Sequence, residues 1–235
     1  MKALTLVALL FLSTCLAQTI LKVDFNSVSG SVASPNLPGF QAFNVPLLGL
    51  GPTSVSYTYA TDPELTTGAV TLMLEASIGN MNSRNRSGVF PENGNLFSDF
   101  VVAIGNGQSM TITLDGLLSD QDYAIKFFAF DNDANVQANS SSQVFETLTS
   151  GQITPTTGTI AYGGGFVSTE LQSLTLRAIS ASDGTLVFKE SAGLGSYQQV
   201  PILNGMEITM IPEAKAAIPV IVLLGIVAAI KFRRN

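Results

Sequence analysis

The residues of this sequence whose types and spacing could do chemistry are few, and the clearest pattern is a run of oxygen-bearing side chains. Asp131, Asp133 and Asn135 stand at alternate positions, which is the one-three-five spacing of a calcium-binding loop. Position six of an EF-hand loop is Gly and position twelve is Glu, but here they are Val136 and Ser142. The run therefore predicts either a looser calcium site or a solvated acidic turn after a strand.

Two tyrosines are candidates for stacking against a sugar ring. Tyr162 lies beside the three glycines 163–165, and Tyr197 lies in the Gly-rich stretch 193–199. We expect both loops to be exposed at an end of the fold, where a flat ring can contact a sugar. The alternative is that both rings cover loop backbone.

Two arginines are the candidates for binding polar groups of a ligand. Arg84 and Arg86 form the only basic doublet of the acidic central region, and a guanidinium donates paired hydrogen bonds to carboxylates or sugar hydroxyls. The alternative is internal pairing, for instance with Asp99 or Asp24.

The composition excludes most catalytic machinery. The 235 residues include no His, no Trp and one Cys, so there is no Ser-His-Asp triad, no Cys-His pair and no His-ligated metal. A pair of carboxylates remains available for glycoside hydrolysis, but no Asp or Glu stands in a distinctive motif. The Gly-rich segments also lack the Lys-Ser that a phosphate-binding loop requires. We therefore expect a protein that is not an enzyme.

The N-terminus predicts export. Lys2 precedes the apolar run 4–12, and small residues follow as far as Ala17, which is the order of a secretory signal peptide cleaved after Ala17. Lipoprotein processing at Cys15 is the alternative. Cleavage after Ala17 removes the single Cys, so the exported domain has no thiol and no disulfide.

The C-terminus predicts contact with a membrane. The apolar run 216–230 would form a helix of about 22 Å, somewhat short for a span, and the bases that follow would stay cytoplasmic. One interpretation is an ordinary single-pass anchor. The order of Pro212 and Glu213, an apolar helix and an Arg-rich end also resembles the PEP-CTERM sorting signals of exported bacterial proteins. That resemblance implies a membrane-bound sorting protease as a partner.

The region between these segments is acidic. Residues 18–211 contain 16 acidic and 6 basic residues, a net charge of −10. Such a charge argues against nucleic acid and against anionic membrane surfaces as partners.

Short runs of alternating or β-branched residues, separated by Gly, Pro, Asn and Asp, predict one all-β domain over residues 18–211, an antiparallel β-sandwich. It follows a signal peptide (1–17) and precedes a sorting or transmembrane segment (212–235) with an apolar helix. The segment Tyr123–Phe130 is apolar on both faces and predicts a buried central strand, whereas 95–103 could form one helical turn. The predicted strands are 20–25, 39–43, 54–60, 69–76, 110–114, 123–130, 143–149, 158–161, 173–180, 185–189 and 201–209.

Three separated groups of residues carry a family resemblance. They are Val23-Asp24-Phe25 with 38–43; then 84–86, 96–100, 114–117 and Tyr123; and finally 183–188 with 201–208. In order and spacing they resemble the malectin-like, galactose-binding-like jelly rolls of exported bacterial proteins. The resemblance implies a jelly roll and either sugar binding or attachment to polysaccharide-acting proteins.

The sequence thus predicts an exported, membrane- or surface-anchored, non-catalytic module that binds or accompanies carbohydrate. Its expected partners are the membrane, a polysaccharide and a sorting protease, and calcium is the one cofactor left open. A structural protein of the cell envelope or extracellular matrix is the alternative, and a carboxylate-dependent glycoside hydrolase is the distant one.

Overall fold

The computed structural model describes residues 17–29, 32–33, 35–46, 52–85, 96–97, 99–105, 107–131, 139–149, 151–163, 172–196 and 199–212. Within them the chain forms strands joined by turns, and no helix there is long and apolar enough to cross a membrane. The predicted apolar runs 4–12 and 216–230 lie outside the described residues. The strands are β1 (Gln18–Ser29), β2 (Val32–Ala33), β3 (Gln41–Pro46), β4 (Ser54–Ala60), β5 (Thr66–Ala76), β6 (Met81–Asn85), β7 (Asp99–Ala103), β8 (Ser109–Leu117), β9 (Asp122–Phe128), β10 (Ser140–Thr147), β11 (Gly151–Gln152), β12 (Thr157–Gly163), β13 (Ser173–Ile179), β14 (Leu186–Ala192), β15 (Ile202–Leu203) and β16 (Gly205–Ile211).

Two large sheets face each other and a small one lies beside them. The first sheet has the order β11-β13-β9-β16-β1-β2, with β3 also paired to β1. The second sheet has the order β12-β10-β14-β8-β5-β4, and the third is β15-β7-β6. The pairs are antiparallel as predicted, except that β3 runs parallel to β1.

Alternating side chains explain why the two large sheets pack together. In β9, Tyr123, Ile125 and Phe127 are fully buried, while the intervening residues are partly exposed. The ring of Phe127 lies 4.6 Å from that of Phe145 and 5.2 Å from that of Phe188, both on the second sheet. The prediction of a buried central strand over this segment is confirmed.

Within the segment 95–103, where the sequence allowed one helical turn, residues Asp99–Ala103 form strand β7. All five residues of β7 are buried, and β7 pairs with both β6 and β15. A five-residue strand buried on both faces has no polar-apolar alternation and is too short to be distinguished from a helical turn. Strand β7 was missed for this reason.

The antiparallel ladders give the sandwich two distinct ends. At one end Ala76 pairs with Met110 and Ser109 pairs with Ser191, so the described residues of the segments 77–80, 104–109 and 191–201 (all but 106, 197 and 198) lie side by side. We call these three segments the cleft end.

At the other end Thr66 pairs with Leu117, and Ile211 pairs with Asp122. Segments 61–65, 115–122 and 181–185 lie there, and we call them the acidic end. Gln18 pairs with Met210, so the chain enters the domain and leaves it at this same end.

Candidate functional site

A cleft of about 250 Å³ opens at the cleft end of the sandwich. Its side-chain lining is uncharged, combining amides, a hydroxyl and one aliphatic group with backbone at several glycines. The lining residues are Gly107, Gln108, Ser191, Ala192, Gly193, Leu194, Gly195 and Gln199.

One wall of the cleft is fixed by contacts to strand β10. The Gly193 amide donates to the Ser142 carbonyl at 2.9 Å, and the hydroxyls of Ser196 and Ser142 lie 3.1 Å apart. A Cβ at Gly193 would overlap the Ser142 hydroxyl, so this close approach requires glycine. The wall is therefore held in place before any ligand arrives.

Gln108 also lines the cleft, and its side chain lies over two glycines. A Cβ at Gly105 would overlap the Gln108 Nε2, and one at Gly79 would lie 3.3 Å from the same atom. The Gln108 Oε1 is buried and accepts no hydrogen bond within the described part of the chain. A ligand hydroxyl or amide would use this oxygen only after a rotation of the Gln108 side chain toward the cleft.

Tyr162 is not an exposed stacking residue, and that expectation was wrong. Strand β12 extends to Gly163, and its alternation turns Tyr162 inward, where the residue is 3% exposed. Its hydroxyl accepts a hydrogen bond of 2.8 Å from Gln143 Nε2, and its ring lies 5.7 Å from that of Phe130. Burial raises the pKa of the Tyr162 hydroxyl. The second predicted tyrosine, Tyr197, lies outside the described residues.

Of the two arginines predicted to bind a ligand, the structure describes only Arg84. Arg84 is half-buried in β6 opposite Phe100, and within the described residues it makes no ion pair with Asp24 or Asp99. Arg86 lies outside the described residues.

The proposed calcium run is likewise described only at its start. Asp131 follows β9 and is fully buried, and Asp133 and Asn135 lie outside the described residues. Within the described ranges no three His, Cys, Asp or Glu side chains are grouped as metal ligands.

Two buried carboxyl groups lie near the start of the third sheet. Asp24 Oδ2 accepts the amide of Leu37 at 2.7 Å, and Asp99 Oδ2 accepts the amide of Ser27 at 2.8 Å. Burial, opposed by the hydrogen bond from Leu37 and assisted by the negative charge of Asp99, raises the pKa of Asp24 to about 7. Both residues are fully buried, so they connect loops within the core and do not face the cleft.

A third buried carboxyl group lies beneath the cleft. Glu190 precedes Ser191 in β14 and is fully buried, and its Oε1 accepts the amide of Ile202 at 3.0 Å. Burial raises its pKa well above the ordinary value for Glu. Its contact with Ile202 joins the second sheet to the third.

The predicted processing positions lie at the acidic end. Ala17 is exposed and directly precedes β1, and Pro212 directly follows β16. Glu213 lies outside the described residues.

Sequence reasoning missed the side chains that shape the cleft. It identified the stretch 193–199 as an exposed Gly-rich loop, but it did not single out Gln108, Leu194 or Gln199. The available signal was the Gly-Leu-Gly sequence 193–195, because a large aliphatic residue between two loop glycines has little neighbouring structure to cover it.

No protein-family model and no curated protein matches this chain. Among solved structures, the chain is similar to protein YXIM from Bacillus subtilis, with TM-score 0.42, 16% identity, and coverage of 82% of this chain and 40% of that one. It is also similar to a carbohydrate-binding module of Cellvibrio mixtus lichenase 5A in complex with cellotriose (TM-score 0.30, 19% identity, 55% of this chain and 85% of that one). A third similar structure is the ANXUR1 extracellular domain from Arabidopsis thaliana (TM-score 0.41, 12% identity, 84% of this chain and 49% of that one). The likeness concerns the course of the sheets alone.

Proposed function

We propose that residues 18–211 form an exported, non-catalytic jelly roll of malectin-like type that binds a neutral polysaccharide in the cleft. The observation that carries the proposal is the lining of the cleft, where two amide side chains, a hydroxyl and glycine backbone converge without a charged group. Sugar hydroxyls both donate and accept hydrogen bonds, and amide side chains complement them in both senses.

The size of the cleft sets the expected affinity. A volume of about 250 Å³ lies just below the range of roughly 300–1,000 Å³ typical of drug-sized ligands, so it accommodates about one sugar ring. Contacts to a single ring give a dissociation constant of roughly millimolar to tens of micromolar. Many copies on one surface would provide retention through avidity, which anchoring by the apolar run 216–230 would supply.

Burial makes three carboxyl groups unsuitable for hydrolysis, and the lining of the cleft contains no carboxyl group. Asp24, Asp99 and Glu190 are each fully buried, and each accepts a backbone amide within the core. Glycoside hydrolysis needs two carboxyl groups that flank the bond to be cleaved. The hydrogen bonds of these three groups instead connect segments of the folded core.

The remaining parts of the proposal concern export and attachment. The signal peptide is cleaved after Ala17, and the tail either anchors the protein in the membrane or is cleaved near Pro212 and Glu213 by a sorting protease. Calcium at Asp131, Asp133 and Asn135 stays a prediction that no described contact tests. The small volume of the cleft favours one alternative, a structural spacer of the envelope or matrix without a ligand.

A glycan array probed with the full chain in mild detergent, with and without calcium, tests the proposal. We expect retention on neutral polysaccharides, and weak or no retention on anionic glycans, because the domain carries a net charge of −10. Absence of retention on every glycan would support the spacer. A requirement for calcium would support the metal site.

A further inference from the structure

The two ends of the sandwich differ sharply in charge. The cleft end (77–80, 104–109 and 191–201) contains no Asp, Glu, Lys or Arg. The acidic end (61–65, 115–122 and 181–185) contains six acidic residues and no basic one. These six are Asp62, Glu64, Asp115, Asp120, Asp122 and Asp183.

The cleft end is also where large aliphatic side chains meet solvent. Leu194 is fully exposed, Ile78 is 73% exposed and Ile104 is 41% exposed. Single exposed aliphatic residues are ordinary on a protein surface, but three on hydrogen-bonded loops at one end of the sandwich, one of them lining a cleft, indicate a binding surface. In the described residues the remaining exposed large hydrophobic residue is Leu148, which follows β10 and does not belong to the cleft end.

The three aliphatic residues belong to one surface because Gln108 connects their loops. The Ile104 amide donates to the Asn80 carbonyl at 3.2 Å, which joins the first two loops. Gln108 lies close to Gly79 in the first loop and lines the cleft together with Leu194 in the third. Leu194 therefore lines the cleft itself, while Ile78 and Ile104 lie on the two loops that Gln108 and Asn80 join beside it.

We infer that the cleft end recognises a neutral glycan whose sugars carry acetamido or acetyl groups, an inference that rests on the proposed function. An acetyl group combines a carbonyl with a methyl group. The amides of Gln108 and Gln199 complement the carbonyl or amide, and the exposed side chain of Leu194, which lines the same cleft, provides apolar contact for the methyl. A sugar that carries only hydroxyls would leave the exposed side chain of Leu194 without an apolar partner.

The position at which the chain leaves the domain determines which way the cleft end faces. The chain leaves the domain from Ile211 and Pro212 at the acidic end, and the nine-residue strand β8 connects Ser109 at the cleft end with Leu117 at the acidic end. Nine residues of strand span about 30 Å. Attachment through the residues that follow Pro212 therefore presents the cleft end outward, about 30 Å from the point of attachment.

Chitin and cellulose beads test the inference, because both are neutral β-linked polymers and they differ in the acetamido group. The full chain is inserted through its tail into lipid nanodiscs. We expect retention on chitin to exceed that on cellulose by at least about fivefold, the effect of roughly one buried methyl-sized contact. Leu194→Ser should remove most of this preference. The matched control Leu148→Ser, which changes an exposed leucine outside the cleft end, should leave it intact.

The possible results separate the inference from the proposed function. Equal retention on chitin and cellulose, or a preference that Leu194→Ser leaves unchanged, would overturn the inference and leave the glycan-binding function standing. No retention on any glycan would overturn both. Binding to neutral phosphatidylcholine vesicles that depends on Leu194, without retention on chitin, would assign the exposed aliphatic residues of the cleft end to lipid and also overturn the inference.

Discussion

Gln143 donates a hydrogen bond of 2.8 Å from its Nε2 to the hydroxyl oxygen of Tyr162, and the same nitrogen lies 3.2 Å from the carbonyl oxygen of Val200. Through this side chain the second sheet is linked to the segment that leads into the third. The contact also makes Tyr162 a residue of the core, where its ring cannot stack on a sugar.

Replacement of Tyr162 should therefore change stability and not binding. Tyr162→Ala removes a buried aromatic side chain, and we expect a loss of about 3–5 kcal/mol in the free energy of unfolding, measured by urea denaturation. Tyr162→Phe removes only the hydroxyl and should cost about 1 kcal/mol. A weakened glycan retention by folded Tyr162→Phe protein, at unchanged stability, would contradict this assignment.

The central strand makes a second stability prediction. Phe127→Ala should lower the free energy of unfolding by about 3–5 kcal/mol, because the ring lies against Phe145 and Phe188 and its loss leaves a cavity between the sheets. Thermal unfolding followed by circular dichroism measures the shift. Phe40→Ala, which changes a half-buried ring on the outer face of the first sheet, is the control and should cost less. Equal shifts for the two variants would count against the central position of the strand.

The buried carboxyl group of Asp24 predicts a dependence of stability on pH. Its pKa in the folded state is about 7, above the ordinary value of 3.8, so between these values the folded state binds more protons than the unfolded state. The contribution of Asp24 to the free energy of unfolding should therefore be largest below pH 4. It should fall as the pH rises to about 7. The loss amounts to at most about 4 kcal/mol.

Urea denaturation at several pH values checks this dependence. Glu190, whose pKa is also raised, contributes in the same direction, so Asp24→Asn should reduce the decline in stability without abolishing it. A decline of the same size in wild type and Asp24→Asn would show that Asp24 does not titrate in this range.

The glycine beneath Gln108 makes a prediction about binding. Gly105→Ala places a Cβ where the Gln108 amide now lies, so the side chain must leave its position at the cleft and glycan retention should fall. Both Gly105 and Gly39 have positive φ, but a Cβ at Gly39 contacts nothing within 4 Å. Gly39→Ala is therefore the control for backbone strain alone, and it should lower the melting temperature while retention on an affinity gel stays unchanged. Equal glycan retention by the two variants would show that Gln108 does not take part in ligand binding.

Strands could be predicted where the sequence alternates or where a long apolar run stands between acidic turns, as in Tyr123–Phe130, but a short strand buried on both faces could not. Residues Ser54–Ala60 were predicted as a strand and form β4 with the same bounds, because one face of the strand is exposed. Strand β7 was missed because all five of its residues are buried.

The sequence allowed the location of the candidate site to be predicted, but not the side chains that shape it. The glycines at 193 and 195 indicated an exposed loop, but the importance of Gln108 depends on register, since Ser109 pairs with Ser191 and so brings two distant loops together. A single sequence does not specify such pairing between strands. Tyr162 was assigned to the wrong environment because β12 continues one residue beyond it, and strand boundaries are the least certain part of such a prediction.

Affinity-gel electrophoresis of the full chain in a neutral polysaccharide most directly tests the claim that the cleft binds a glycan. Gln108→Ala removes an amide that lines the cleft, and Gln121→Ala removes the same side chain at the acidic end. We predict that wild type and Gln121→Ala are retarded equally and that Gln108→Ala loses most of the retardation at an unchanged melting temperature. Equal retardation of all three proteins would contradict the assignment of the cleft as the binding site.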